Sequence, residues 1–114
     1  MAKLTHKPQT ISDALEALEG RKSLKIGNNT LLERKGDEVY ATLHGHEIVR
    51  YAKDGTYASW AGWPTVTTRD RLNQLAPARF NVRQREGHIN GVAVNDTDWY
   101  RLSPSDLPSL TGRW

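Results

Sequence analysis

Apolar residues recur at two different periods along this chain, and the change of period marks its elements. Ile11, Ala14, Leu15 and Leu18 are spaced i, i+3, i+4 and i+7, which makes one stripe of a helix. Thr10 and Asp13 open that helix with the spacing of a capping box, aspartate standing in for glutamate. Gly20 suits the left-handed residue that closes it, and Arg21 and Lys22 follow where positive charge favours the negative end of the dipole. A helix this short must pack on something to be stable.

From Ser23 to Trp60 the period is two. Turn residues recur at Gly27-Asn28-Asn29, Lys35-Gly36-Asp37, His44-Gly45-His46 and Asp54-Gly55. Between them the runs Leu24–Ile26, Thr30–Arg34, Glu38–Leu43, Glu47–Tyr51 and Thr56–Trp60 predict a meander of antiparallel hairpins. Val39, Ala41 and Leu43 share one face, and Tyr40 and Thr42 the other. Glu47, Val49 and Tyr51 alternate in the same way with Ile48 and Arg50.

A second helix is expected over Thr68–Ala76, with Thr67 as N-cap, Asp70 at N3 and Leu72, Leu75 and Ala76 inward. Arg69 and Asn73, four apart, share another face, and Pro77 ends the helix. Three more strands are expected, Phe80–Glu86, Ile89–Val94 and Thr97–Leu102, joined by turns at Glu86-Gly87-His88 and Asn95-Asp96. Phe80 and Val82 then face one way and Arg79, Asn81, Arg83 and Arg85 the other. Residues 1–9 read as a loose basic leader, and 103–114, with Pro104, Pro108 and Gly112, as an irregular tail. The fold class predicted is α+β: one domain over 10–102, a twisted antiparallel sheet of hairpins with two short helices packed on it.

The length of 114 residues fits one domain able to bury a core without disulfides or metal. With 37% hydrophobic residues the core is modest and the surface polar. There is no cysteine, which excludes a disulfide framework, thiolate zinc ligands and a cysteine nucleophile, and fits a reducing cytoplasm. The sequence contains no long apolar run, so neither a signal peptide nor a membrane span is expected.

The net charge of +3 is distributed unevenly. Residues 61–90 carry five arginines (Arg69, Arg71, Arg79, Arg83 and Arg85) against Asp70 and Glu86. Arginine favours planar, bidentate contact with phosphate or carboxylate.

The stretch Leu43-His44-Gly45-His46-Glu47-Ile48-Val49, then Asp54-Gly55, then Gly62-Trp63-Pro64-Thr65-Val66-Thr67-Thr68-Arg69-Asp70-Arg71-Leu72-Asn73 resembles a group of small phage and prophage proteins. Their pattern reads Leu-His, a spacer, Ile-Val, an Asp-Gly turn, a Gly-Trp pair and a Thr-x-Thr-Thr-x-x-Arg-x-Asn helix entry. The resemblance covers about residues 24–75. His46 and the Trp60-Ala61 pair depart from it, where a small polar residue and a serine-glycine pair are usual. The resemblance implies a phage-type origin and carries over no catalytic residue.

Two surfaces carry candidate chemistry. At the entry to the second helix, Thr65, Thr67, Thr68, Arg69 and Arg71 can hold an anion, since a helix N-terminus offers unpaired donors. The alternative there is plain capping, with Asp70 neutralising an arginine. Along the Phe80 strand, Arg79, Arg83 and Arg85 would be spaced by roughly 7 Å between alternate residues, near the phosphate repeat of a single strand. Tyr40, Tyr51, Tyr57, Trp60 and Trp63 offer stacking surfaces, although Trp63, between Gly62 and Pro64, is expected to be core.

His44 and His46 could join His88 or Glu47 on a metal, but Gly45 between them points to a turn that spoils the geometry. No phosphate loop, nucleophile elbow or paired carboxylates are present, and Asp96 and Asp98 read as turn formers. The sequence therefore predicts a non-enzymatic binding protein without metal or cofactor, acting in the cytoplasm of an infected bacterial host. Its nucleic-acid contacts would come from Thr67, Thr68, Arg69, Arg71, Arg79, Arg83 and Arg85. The alternative is a phage inhibitor that blocks a host protein through Tyr57, Trp60, Trp63 and Trp114, aromatic anchors of the usual kind. Exposed strand edges would also allow a homodimer.

Overall fold

The computed structural model describes residues 4–102. In chain order the elements are α1 (Ile11–Leu18), β1 (Ser23–Gly27), β2 (Thr30–Lys35), β3 (Glu38–Leu43), β4 (His46–Ala52), β5 (Gly55–Ala58), α2 (Val66–Leu75), β6 (Phe80–Arg83), β7 (Glu86–Ile89), β8 (Val92–Ala93) and β9 (Tyr100–Arg101). All the pairings are antiparallel, and the class is α+β as expected. The strands form two sheets rather than one: β1-β2-β3-β4-β5-β9 and β6-β7-β8.

The meander follows its turn signals. His44 and Gly45 both take positive φ (53° and 81°), the conformation that a two-residue hairpin turn demands. Val39, Ala41 and Leu43 are buried on one face, as the alternation predicts. Strand β4 departs from it. A bulge opposite Ala41 and Thr42 inserts Ile48, so the neighbours Ile48 and Val49 are both buried.

The second sheet corrects the expected turns. Its hairpins turn at Gln84-Arg85 (φ 50° and 65°) and Asn90-Gly91 (φ 51° and 84°), not at Glu86-Gly87-His88. Gly87 lies within β7 for a packing reason. A Cβ built there would sit 2.5 Å from Trp60 Cδ1, so only glycine lets the indole ring lie against the strand. Thr97–Leu102 shortens to β9, because Asn95 Oδ1 accepts from the Thr97 amide (2.9 Å) and hydroxyl (2.8 Å) and holds a turn.

Both helices pack on the inner face of the large sheet. The core joins Ala14 and Leu18 of α1 and Leu72 and Leu75 of α2 to Ile26, Leu32, Val39, Val49 and Tyr51. Leu15, expected in the α1 stripe, stays exposed. The Tyr51 hydroxyl shares its one proton between Leu75 O (2.6 Å) and Pro8 O (3.1 Å), and its burial pushes the phenol well above the usual range. The presumed leader is fixed over residues 4–9: Leu4 is buried, the Thr5 amide donates to Ile26 O (2.8 Å), and Gln9 O accepts from Thr56 Oγ1 (2.7 Å). The tail, with Trp114, lies outside the described residues.

Helix α2 begins two residues earlier than expected. Its N-cap is Thr65, whose Oγ1 accepts from the Thr68 amide (3.2 Å), and not Thr67. Asn73 then clamps β6: its Nδ2 donates to Phe80 O (3.0 Å) and its Oδ1 accepts from Phe80 N (2.8 Å). That single side chain satisfies both backbone groups of a buried residue where the second sheet starts.

Candidate nucleic-acid interface

Two stretches of the chain, residues 43–48 and 60–68, converge on a groove of about 420 Å³. The β3–β4 turn supplies Leu43, His44, His46 and Ile48; the chain after β5 supplies Trp60, Ala61 and Trp63; the first turn of α2 supplies Thr65, Thr67 and Thr68. These are the segments that carry the phage-like pattern in the sequence.

The turn between Trp60 and Trp63 decides what the groove presents. Ala61 and Gly62 take positive φ (52° and 76°), and Trp63 N donates to Trp60 O (2.8 Å). A tight turn of this hand sends the two tryptophans in different directions. Trp60 is fully buried, edge-on to Phe80 with ring centroids 6.0 Å apart. It is therefore core, not the partner anchor expected. Trp63, expected in the core, is 55% exposed and lies 5.8 Å from the His46 ring at a tilt of 43°. The turn is held from both sides, by Ala61 N donating to Ser59 Oγ (3.0 Å) and Gly62 N donating to Asp96 O (2.8 Å). An exposed tryptophan on a braced turn is pre-organised for contact.

The five arginines divide by environment. Arg71 is buried at 3% exposure, with its guanidinium directed at Asn28 O (3.4 Å) in the β1–β2 turn. It is a structural tie between α2 and the large sheet, not the surface contact expected. Arg69 is bound twice to Asp70 Oδ1 (2.8 and 3.1 Å) and remains partly exposed. Arg79, Arg83 and Arg85 are exposed, and none of them makes an ion pair among the described residues. They do not line one strand face: Arg79 precedes β6, Arg83 ends it, and Arg85 is in the turn.

Thr68 is buried and joined to Thr65 (Oγ1–Oγ1 3.1 Å), so it is part of the cap; Thr67 remains half-buried on the groove. Two of the proposed contacts thus have structural duties, and the groove's convergence was invisible to period and spacing. The signal that could have found it was the pattern itself, whose Leu-His and Gly-Trp segments meet in space.

Tyr57 sits on the outer face of the large sheet. Its hydroxyl donates to Asp54 Oδ2 (2.9 Å), which raises its pKa, and the Arg50 guanidinium lies 4.7 Å from its ring centre. Arg50 is also bound to Glu38 (2.6 and 3.1 Å), a hydrogen-bonded pairing that holds the Glu38 carboxyl below its usual range. Arg50 of this face is thus matched by a carboxylate, while Arg101, opposite Tyr57, donates to the backbone oxygen of Asp54. His44 and His46 are split by the turn, and among the described residues no three ligating side chains come together for a metal. No helix of the described residues is long and apolar enough to cross a membrane.

The sequence pattern of a family described as Kyanoviridae Gp96 protein matches residues 8–104, well beyond the 24–75 stretch that carried the phage resemblance. No curated protein and no solved structure matches the chain.

Proposed function

We propose, from the premise that the chain belongs to the Kyanoviridae Gp96 family, a phage protein family, that it is a non-enzymatic protein that binds nucleic acid in the cytoplasm of an infected bacterial host. The observation that carries this reading is that Arg79, Arg83 and Arg85, on and just before one hairpin, are exposed and make no ion pair among the described residues. Arg69, which is bound to Asp70 and partly exposed, and Thr67 lie within one turn of the α2 entry and would make a second point of contact. Unpaired arginines suit phosphate oxygens, and contacts of this kind position a strand without reading its sequence. Trp63 adds an exposed ring on the groove that Thr67 also lines.

Fluorescence anisotropy with labelled single- and double-stranded oligonucleotides tests the proposal. Binding at about 50 mM salt should weaken sharply by about 200 mM, and the Arg79→Ala/Arg83→Ala/Arg85→Ala variant should lose most of it. Absence of binding at low salt would reject it.

A second reading is favoured by Trp63 alone. A large hydrophobic residue held exposed on a braced turn is also the form of a protein-binding hot spot, and a phage protein could use it to block a host protein. Capture of a host protein by the wild type and not by Trp63→Ala, with no oligonucleotide affinity, would select that reading.

A further inference from the structure

The groove and the exposed arginines are joined through one residue. Trp60 lines the groove, and its ring also lies against Gly87, two residues from Arg85 at the hairpin turn. On the other side, Arg69 follows Thr65 by one helical turn, with Arg69 N bonded to Thr65 O (2.9 Å), so the two share a face. The groove's own lining holds no carboxylate, lysine or arginine.

We infer that this groove receives one unstacked nucleobase of a bound single strand, seated against the Trp63 ring. The inference rests on the nucleic-acid reading above. Three properties of the groove match a base. Its exposed wall is a ring surface, Trp63 extended by His46. Its lining has no fixed charge, which suits a neutral ring and penalises a charged one. Its rim carries the Thr67 hydroxyl and the His44 and His46 imidazoles, hydrogen-bonding groups that a base edge can use and an aliphatic side chain cannot. The volume of about 420 Å³ lies in the range of small-ligand sites. Ring stacking is tolerant of base identity, so the groove would add affinity without strong sequence preference.

The test compares a single-stranded oligonucleotide with an abasic strand of equal length and charge, at about 50 mM salt. The wild type should bind the base-bearing strand about tenfold more tightly, as expected for stacking on one aromatic ring. Trp63→Ala should bind both strands at the abasic level, and Trp63→Phe should recover part of the difference. Near-ultraviolet circular dichroism of each variant checks that the fold is kept. Equal wild-type affinity for the two strands would overturn the inference and leave the arginine reading standing. A base preference that survives in a folded Trp63→Ala would also overturn it, by locating the base elsewhere. Failure to bind either strand would overturn both.

Discussion

Trp60 and Trp63 are three residues apart and do opposite work, and the difference is measurable in stability. Truncating Trp60 empties a site packed by Phe80 and Gly87, and Trp60→Ala should cost roughly 3–5 kcal/mol. Trp63→Ala, at a position 55% exposed, should change chemical denaturation little while changing ligand affinity. Gly87→Ala should destabilise by about 1–3 kcal/mol, since its Cβ meets a fully buried indole that must shift to admit it. Tyr51 sets an alkaline limit. Because burial raises its pKa, the unfolded chain ionises first as the pH climbs past the ordinary tyrosine range, and stability falls there. Melting temperatures measured from pH 8 to 11 should decline less steeply in Tyr51→Phe. Sequence period could not assign the two tryptophans, because Ala61 bears a left-handed conformation that its side chain does not advertise.

Among the elements, the hairpins of the large sheet were legible because each of their turns carries a glycine or asparagine at a position of positive φ, Asn29, Gly36, Gly45 and Gly55. The second sheet was less so. Asn90-Gly91 is a strong turn signal that the apolar run around it concealed, while Gln84-Arg85 turns without glycine or asparagine and gives no signal at all. Gly87 misled for the converse reason, since it is small for Trp60 rather than flexible for a turn. The entry of α2 was misread by two residues because Thr65, Thr67 and Thr68 all have the chemistry of an N-cap. Thr65→Ala should therefore lose about 1 kcal/mol of stability and Thr67→Ala under about 0.5 kcal/mol, by urea denaturation. Asn73 and Arg71, which close the phage-like pattern, hold α2 to β6 and to the β1–β2 turn. Part of that pattern thus encodes architecture, and the part that lines the groove remains available for contact.

At the scale of the whole molecule, charge is partitioned between two surfaces. On the outer face of the large sheet Lys35 meets Glu47 and Arg50 meets Glu38, so two of its cations are held by carboxylates. Its contribution fades in acid: the Glu38 carboxyl is held low by the Arg50 hydrogen bonds, so the stability it adds is present above the ordinary glutamate range and is lost as the pH falls through the folded value. Glu38→Gln should flatten the acid limb of a melting curve. Arg79, Arg83 and Arg85 have no such partners among the described residues, and this is what points the molecule toward a polyanion. The composition disclosed the arginine excess, but only the fold could say that Arg71 is interior and Arg79, Arg83 and Arg85 are not. The most direct measurement is the slope of log K against log salt concentration for a single-stranded oligonucleotide, in the wild type and in Arg79→Ala/Arg83→Ala/Arg85→Ala. The account predicts a negative slope that shrinks by about 0.7 for each phosphate contact removed. A wild type that does not bind at about 50 mM salt, or a slope unchanged by the three substitutions, would contradict it.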